Sequence, residues 1–247
     1  LNFMARYFIL EQQNYIMKKI HYLFLLPFAA STFFISCEDI NIDDLLSDGD
    51  VAAALREALT IGTDTAVTKG SAIDGYFANP DIKILFPEEA AVVESVVGVI
   101  PGGDVLIDEF IQSVNRAAED AADEATPIIK DAIVNITFDD AMTILNGTDT
   151  AATNYLRLKT FSDLYTAFKP DIQNSLEGGG AQQAWEEVID LYNTIPFVED
   201  VNTDLADYST NKGLDGLFIL LGQEEGKIRT DVEHQVTSLL QEVFGGN

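Results

Sequence analysis

From Gly49 onward, apolar residues return every three or four positions, capping residues stand at the ends of those runs, and alternating strand-like stretches are almost absent. That spacing confines the chain to an all-α fold, because a 3.6-residue period lays one apolar stripe along a helix whereas a strand needs a period of two. The clearest stripe runs from about Asp104 to Glu124, with Ile107, Phe110 or Ile111, Val114, Ala117 or Ala118, Ala121 and Ala125 on one side. Its small alanine face favours close helix packing. A first helix is predicted over Gly49 to Lys69, with Val51, Leu55, Ala58, Leu59, Ile61 or Gly62, and Ala66 turned inward.

Between these two, Gly70 to Phe86 contains Asp74, Gly75, Asn79 and Pro80 and reads as an irregular crossing, with Ile82 to Phe86 extended. Pro87 suits the first turn of a helix to Val97, and Glu88 and Glu89 sit favourably at its positive end; Pro101, Gly102 and Gly103 stop it. Thr126 and Pro127 open another helix. Thr137 and Asp140 have the form of a capping arrangement before Ala141 to Leu145, which Asn146 and Gly147 terminate. Further helices are expected near Thr150 to Leu158, Phe161 to Leu176 with a bend at Pro170, Ala181 to Asn193, Thr203 to Asn211 and Gly213 to Ile228. A last one is expected from Asp231 to Phe244, opened by the T-x-x-E pattern of Thr230 and Glu233. Gly178 to Gly180 make the clearest internal hinge. The expected architecture is an irregular single-domain bundle of eight to ten helices over residues 48–247.

Ahead of that bundle stands the only cysteine, Cys37. Residues 1–16 read as an upstream extension of the frame, and Met17 to Ser36 as an export signal: Lys18 and Lys19, then an apolar run from Ile20 to Ile35, then a small residue. The run is about 16 residues against the about 20 that span a bilayer. It contains Pro27 and is followed by Glu38, Asp39, Asp43 and Asp44, an acidic tether of residues 37–47. Phe34, Ile35, Ser36 and Cys37 resemble the lipobox of bacterial lipoproteins, with Phe34 where Leu is usual; the resemblance implies thioether acylation of Cys37. Cleavage by an ordinary signal peptidase between Ala29 and Ser36 would instead leave a free thiol. Acylation predicts an exported protein held on a cell-envelope bilayer, the outer membrane on its periplasmic or surface face, since two or more acyl chains anchor stably where one does not. No internal disulfide can form beyond Cys37, so stability rests on a packed core, which about 210 residues can supply.

Asp and Glu number 41 against 14 Lys and Arg, for a net charge of −27. Loss of residues up to Ser36, with Arg6, Lys18, Lys19 and Glu11, makes the remainder more acidic still. Nucleic-acid binding needs clustered cations, and here they are scattered. Asp43, Asp44, Asp48 and Asp50 lack the ligand spacing and closing Glu of a calcium loop and read as a solvated tether. With His234 the sole histidine after the signal, multi-histidine zinc sites and H-E-x-x-H peptidases are excluded; G-x-S-x-G and P-loop patterns are missing too. No cofactor or metal is expected.

The polar residues that remain as candidates are Asn115, Arg116 and Glu119 on one helix, Asp140, the segment with Asn146, Thr150, Thr153 and Tyr155, and the i,i+4 pair Glu225 and Arg229. Asn115 and Glu119 share a helix face, and Arg116 reaches Glu119. They form either a polar cleft with Glu119 as acid, base or ligand, or a buried network joining helices, and the network is favoured because a buried charge needs a partner. The helix start after Gly147 offers amides to an anion, but Asp149 is expected to cap it instead. Glu225 and Arg229, beside Glu224, are expected to tie the last helices to the bundle. Asp64-Thr65-Ala66 and Asp149-Thr150-Ala151 match a short bacterial glycosylation pattern, for which chance is the better explanation.

Four separated strings carry a resemblance: NRAAE at Asn115 to Glu119, DAMTILNGTDTAATNY at Asp140 to Tyr155, LDGLF at Leu214 to Phe218, and EEGKIR at Glu224 to Arg229. In this order they resemble the bacterial domain-of-unknown-function family 4197 from about Leu45 to Gly245. The resemblance implies an exported, mostly helical, often lipid-anchored protein without an established activity. Two functions are therefore expected in competition. One is a lipid-anchored binding or structural module for an unknown envelope protein or small ligand. The other is a carboxylate-dependent hydrolase or lyase acting on an envelope glycan or peptide, using Glu119 with Asp123 or Asp140.

Overall fold

The alanine-rich stripe is realised as a deeply buried helix face: Phe110, Val114, Ala117, Ala118 and Ala121 are fully enclosed, Ile107 nearly so, and Ile111 packs at its edge. The structure is a computed structural model and describes residues 48–178, 180–196, 204–231, 234 and 241. It is all-α, with no strand among the described residues. The helices are α1 (Asp48–Ser71), α2 (Ala91–Val97), α3 (Gly103–Ala121), α4 (Ala125–Val134), α5 (Phe138–Leu145), α6 (Ala151–Gly178), α7 (Ala181–Asn193) and α8 (Leu205–Thr230). A 3₁₀ turn, Glu88–Ala90, leads into α2, and a second, Ala122–Glu124, joins α3 to α4 without a break.

Helices α6 and α8 share the most extensive contact; α1 lies on α8, and α3 packs against both α6 and α7. Phe86, Phe110 and Trp185 meet with ring centroids 5.3–5.4 Å apart and join the 82–86 segment to α3 and α7. On the opposite side Ile129, Ile133 and Ile136 seal the α4 end, where the Arg56 guanidinium donates to the Ile136 carbonyl at 2.5 Å. The Thr137–Asp140 capping box is present as read from sequence, each side chain bonded to the other's backbone amide.

Two expected breaks do not occur. Thr150 to Leu158 and Phe161 to Leu176 form the single helix α6, because Ala152, Leu156, Thr160, Leu164, Phe168, Ile172 and Leu176 continue one inward face at steps of four. Pro170 lies within it on the exposed side, as does Thr166, whose carbonyl loses its helical donor there. Thr203 to Asn211 and Gly213 to Ile228 likewise merge into α8. Gly216 within it serves close approach rather than termination: a Cβ there would stand 2.6 Å from the Tyr76 ring. A helix break falls at the glycine run, with α6 ending at Gly178 and Gly180 capping α7 at φ 83°. Thr230 is the last residue of α8, and its hydroxyl donates to the Gly226 carbonyl. Glu233, most of the predicted Asp231 to Phe244 helix, the tether and Cys37 lie outside the described residues.

Candidate functional site

Helix α3 presents Asn115 and Glu119 to the irregular crossing that the sequence placed before it, and their side chains fold that crossing down. Asn115 acts as a substitute strand: its Oδ1 accepts from the Ile84 amide at 2.9 Å, and its Nδ2 donates to the carbonyls of Ile84 and Ile111, both at 2.7 Å. Glu119, 4% exposed, accepts the Tyr76 and Phe77 amides on Oε1 at 3.1 Å each and the Arg116 guanidinium on Oε2 at 2.5 Å. Arg116 continues to Asp74 at 2.6 Å. The turn so gripped is tight: Asp74 takes φ 66°, and a Cβ on Gly75 would lie 2.2 Å from the Lys69 carbonyl.

Tyr76, delivered by that turn, is fully buried and donates its hydroxyl to the Gly213 carbonyl of α8 at 2.7 Å. Burial, reinforced by the Glu119 charge, pushes its hydroxyl well above the ordinary phenol range. The Asn115, Arg116 and Glu119 group therefore joins α3, the crossing and α8 through side chains whose hydrogen-bonding capacity is engaged by the protein itself.

The second group lies where α5, α6 and α8 meet. Glu225, 6% exposed, accepts the Ala152 amide on Oε1 at 3.0 Å and the Thr153 amide and hydroxyl on Oε2 at 2.8 and 2.7 Å. These are first-turn amides of α6, which have no partner within their own helix. Arg229 braces the same carboxylate with two bonds of 3.0 and 2.9 Å and also donates to the Ile144 carbonyl, at 2.9 Å, near the end of α5. One ion pair from α8 thus satisfies the start of one helix and the end of another.

This arrangement corrects the sequence reading at Asp149, which is exposed while Glu225 occupies the helix start. An anion does belong at that start, and the chain supplies it from 72 to 73 residues away. Asp140 is held below its ordinary value, chiefly by the Thr137 hydroxyl and then the Thr137 amide, with Tyr155 adding a bond at 3.3 Å. Burial and the nearby Asp140 raise Tyr155 in turn. Asn146 and Thr150 are exposed; the former donates to the Met142 carbonyl and the latter accepts from Asn154.

The ten candidates do not form one site: Asn115, Arg116 and Glu119 make one cluster, Thr153, Glu225 and Arg229 a second and Asp140 with Tyr155 a pair, while Asn146 and Thr150 bond only to neighbours on their own segments, and no hydrogen bond or ion pair joins the first cluster to the others among the described residues. Asp123, suggested as a partner acid for Glu119, lies exposed on the 3₁₀ turn. Sequence reading missed Glu224, nearly buried on α8, which holds Lys69 of α1 at 2.5 Å and Lys227 at 2.7 Å. Its position beside Glu225 was visible, but the partner 155 residues away was not. Also missed was a surface cavity of about 320 Å³ between residues 81–88 and α8, to which Lys83, Tyr208, Lys212 and Ile219 contribute. Among the described residues no three His, Cys, Asp or Glu side chains are grouped to share a metal ion, and no helix is long and apolar enough to cross a membrane.

No curated relative and no solved structure matches the chain. The four strings fall within the match of a family described as Protein of unknown function (DUF4197), which covers residues 45–245, and the chain belongs to that family.

Proposed function

We propose that this is a lipid-anchored envelope protein, held to a bilayer through acylated Cys37, whose helical domain serves as a binding or structural module without catalysis. The observation that carries the second half is the engagement of Glu119 and Glu225. Each carboxylate accepts two backbone amides from a different element and is closed by an arginine. A general acid or base must meet a substrate proton within hydrogen-bond reach, and these groups meet their own backbone. The first half is supported by the residues around Cys37 and by the acidic segment that follows them.

The competing carboxylate-dependent hydrolase or lyase draws no support from Glu119 in this setting, nor from Asp140, which serves its own helix cap and Tyr155. Replacement of Cys37 by Ala, followed by membrane fractionation and mass analysis, tests the anchor. The proposal expects loss of membrane retention together with loss of the acyl mass; retention unchanged, with no acyl mass on the unsubstituted protein, would defeat it.

A further inference from the structure

Acids outnumber bases 41 to 14 in this chain, so a lysine without a carboxylate is unexpected. Most described cations are ion-paired, and Arg56 is bonded to a carbonyl. Lys83, Lys159 and Lys212 form no ion pair among the described residues and rest instead against Phe77, Tyr155 and Tyr208, with ammonium-to-centroid distances of 4.2, 5.4 and 5.9 Å. Two of these three line the same cavity, the one between residues 81–88 and α8. An aromatic face attracts an ammonium without neutralising it, so both of these cavity-lining lysines keep their charge.

The cavity floor is apolar, formed by Ile82, Ile84 and Phe86 with Gly216, and the rim carries Leu85 and Ile219, 60% and 44% exposed. Tyr208 fixes one wall by donating to the Leu85 carbonyl at 2.9 Å. Three carboxylates border the space. Asp215 is neutralised by Arg157 at 2.5 Å, Asp81 accepts the Gln223 amide at 2.9 Å, and Glu88 is exposed. Asp81 and Glu88 offset part of the lysines' charge, so a ligand with one negative charge is opposed less than one with two. The volume of about 320 Å³ lies at the small end of the range that accepts organic ligands.

We infer that this cavity binds a small amphipathic monoanion, a carboxylate head placed by Lys83 and Lys212 with an apolar tail over Ile82, Ile84 and Ile219. The inference rests on the binding reading above and supplies its ligand class. A carboxylate reaching an ammonium gains a charge-assisted hydrogen bond, and the tail removes apolar surface from water.

The probe is octanoate, and the readout is lysine acetylation mapped by mass spectrometry on the full chain, in lipid nanodiscs if acylated and in buffer if not. The inference expects octanoate to slow acetylation of Lys83 and Lys212 severalfold and to leave Lys159 unchanged, with acetate and octanol far less effective. Lys83→Gln or Lys212→Gln should each weaken octanoate binding about tenfold, the loss of one charge-assisted bond. No protection by octanoate, equal protection by octanol, or equal protection at Lys159 would overturn it. An unmodified Cys37 would defeat the anchor alone and leave this result readable.

Discussion

Replacing Glu225 by Gln keeps the shape of the side chain and removes its charge and one acceptor. In the wild type the two oxygens accept from Ala152, from Thr153 twice and from both Nε and Nη2 of Arg229. The amide group of Gln must face one of these donor sets, leaving a buried N–H opposed by N–H, and it leaves the Arg229 guanidinium, 14% exposed, without its counter-charge. An orphaned buried donor costs about 1–3 kcal/mol, and breaking one side of a buried ion pair costs about 3–5 kcal/mol. These overlap, so a loss of about 3–4 kcal/mol is expected, a large share of a folding stability of about 5–15 kcal/mol. Urea unfolding followed by circular dichroism measures it, with Asp64→Asn as the comparison, since the Lys130–Asp64 pair is exposed on both sides and such pairs contribute about 0–1 kcal/mol. If Glu225→Gln costs no more than Asp64→Asn, the claim that this carboxylate secures the start of α6 is wrong.

Gly216→Ala drives a Cβ to 2.6 Å from the Tyr76 ring and should destabilise by about 1–3 kcal/mol, while Gly226→Ala meets nothing within 4 Å in the same helix and should stabilise by up to about 1 kcal/mol; thermal melts of the two variants check the contrast. Asn115→Leu leaves the Ile84 amide and carbonyl unpartnered, and should cost about 2–4 kcal/mol with faster hydrogen exchange at Ile84. Burial opposes ionisation of Glu224, yet the ammonium groups of Lys227 and Lys69 outweigh it and hold the carboxyl below its ordinary value. Its contribution is therefore present above the unfolded-state value and lost as pH falls through the lower folded-state value. Lys69→Met should flatten the decline of melting temperature between neutral and acid pH, and an unchanged decline would refute that coupling.

The local parts of this fold were open to sequence reading. The α3 stripe and the Thr137–Asp140 box depend on residues three or four apart, and both occur where the spacing put them. Helix continuity was harder. Gly213 reads as the first residue of a separate helix, but it lies inside α8, where its carbonyl receives the Tyr76 hydroxyl and its bare Cα faces Ala118. For the polar groups, the pairings Arg116–Glu119 and Glu225–Arg229 were legible as helix neighbours, whereas the amides they serve were not. Glu119 reaches back 42 and 43 residues, and Glu225 reaches 72 and 73. Nothing in the composition of either segment marks such a meeting. The cavity beside α8 is of the same kind, since Lys83 and Lys212 come to line one space only when the crossing folds onto that helix.

Hydrogen exchange at four amides, Tyr76, Phe77, Ala152 and Thr153, tests most directly whether the two buried carboxylates hold the fold together. Amides of a turn and of a first helical turn have no partner of their own and ordinarily exchange quickly. The carboxylate ties predict that all four exchange only with global unfolding, and that Glu119→Ala releases the first two while Glu225→Ala releases the last two. Fast exchange of these amides in the unsubstituted protein, at the rate of exposed loops, would contradict the account.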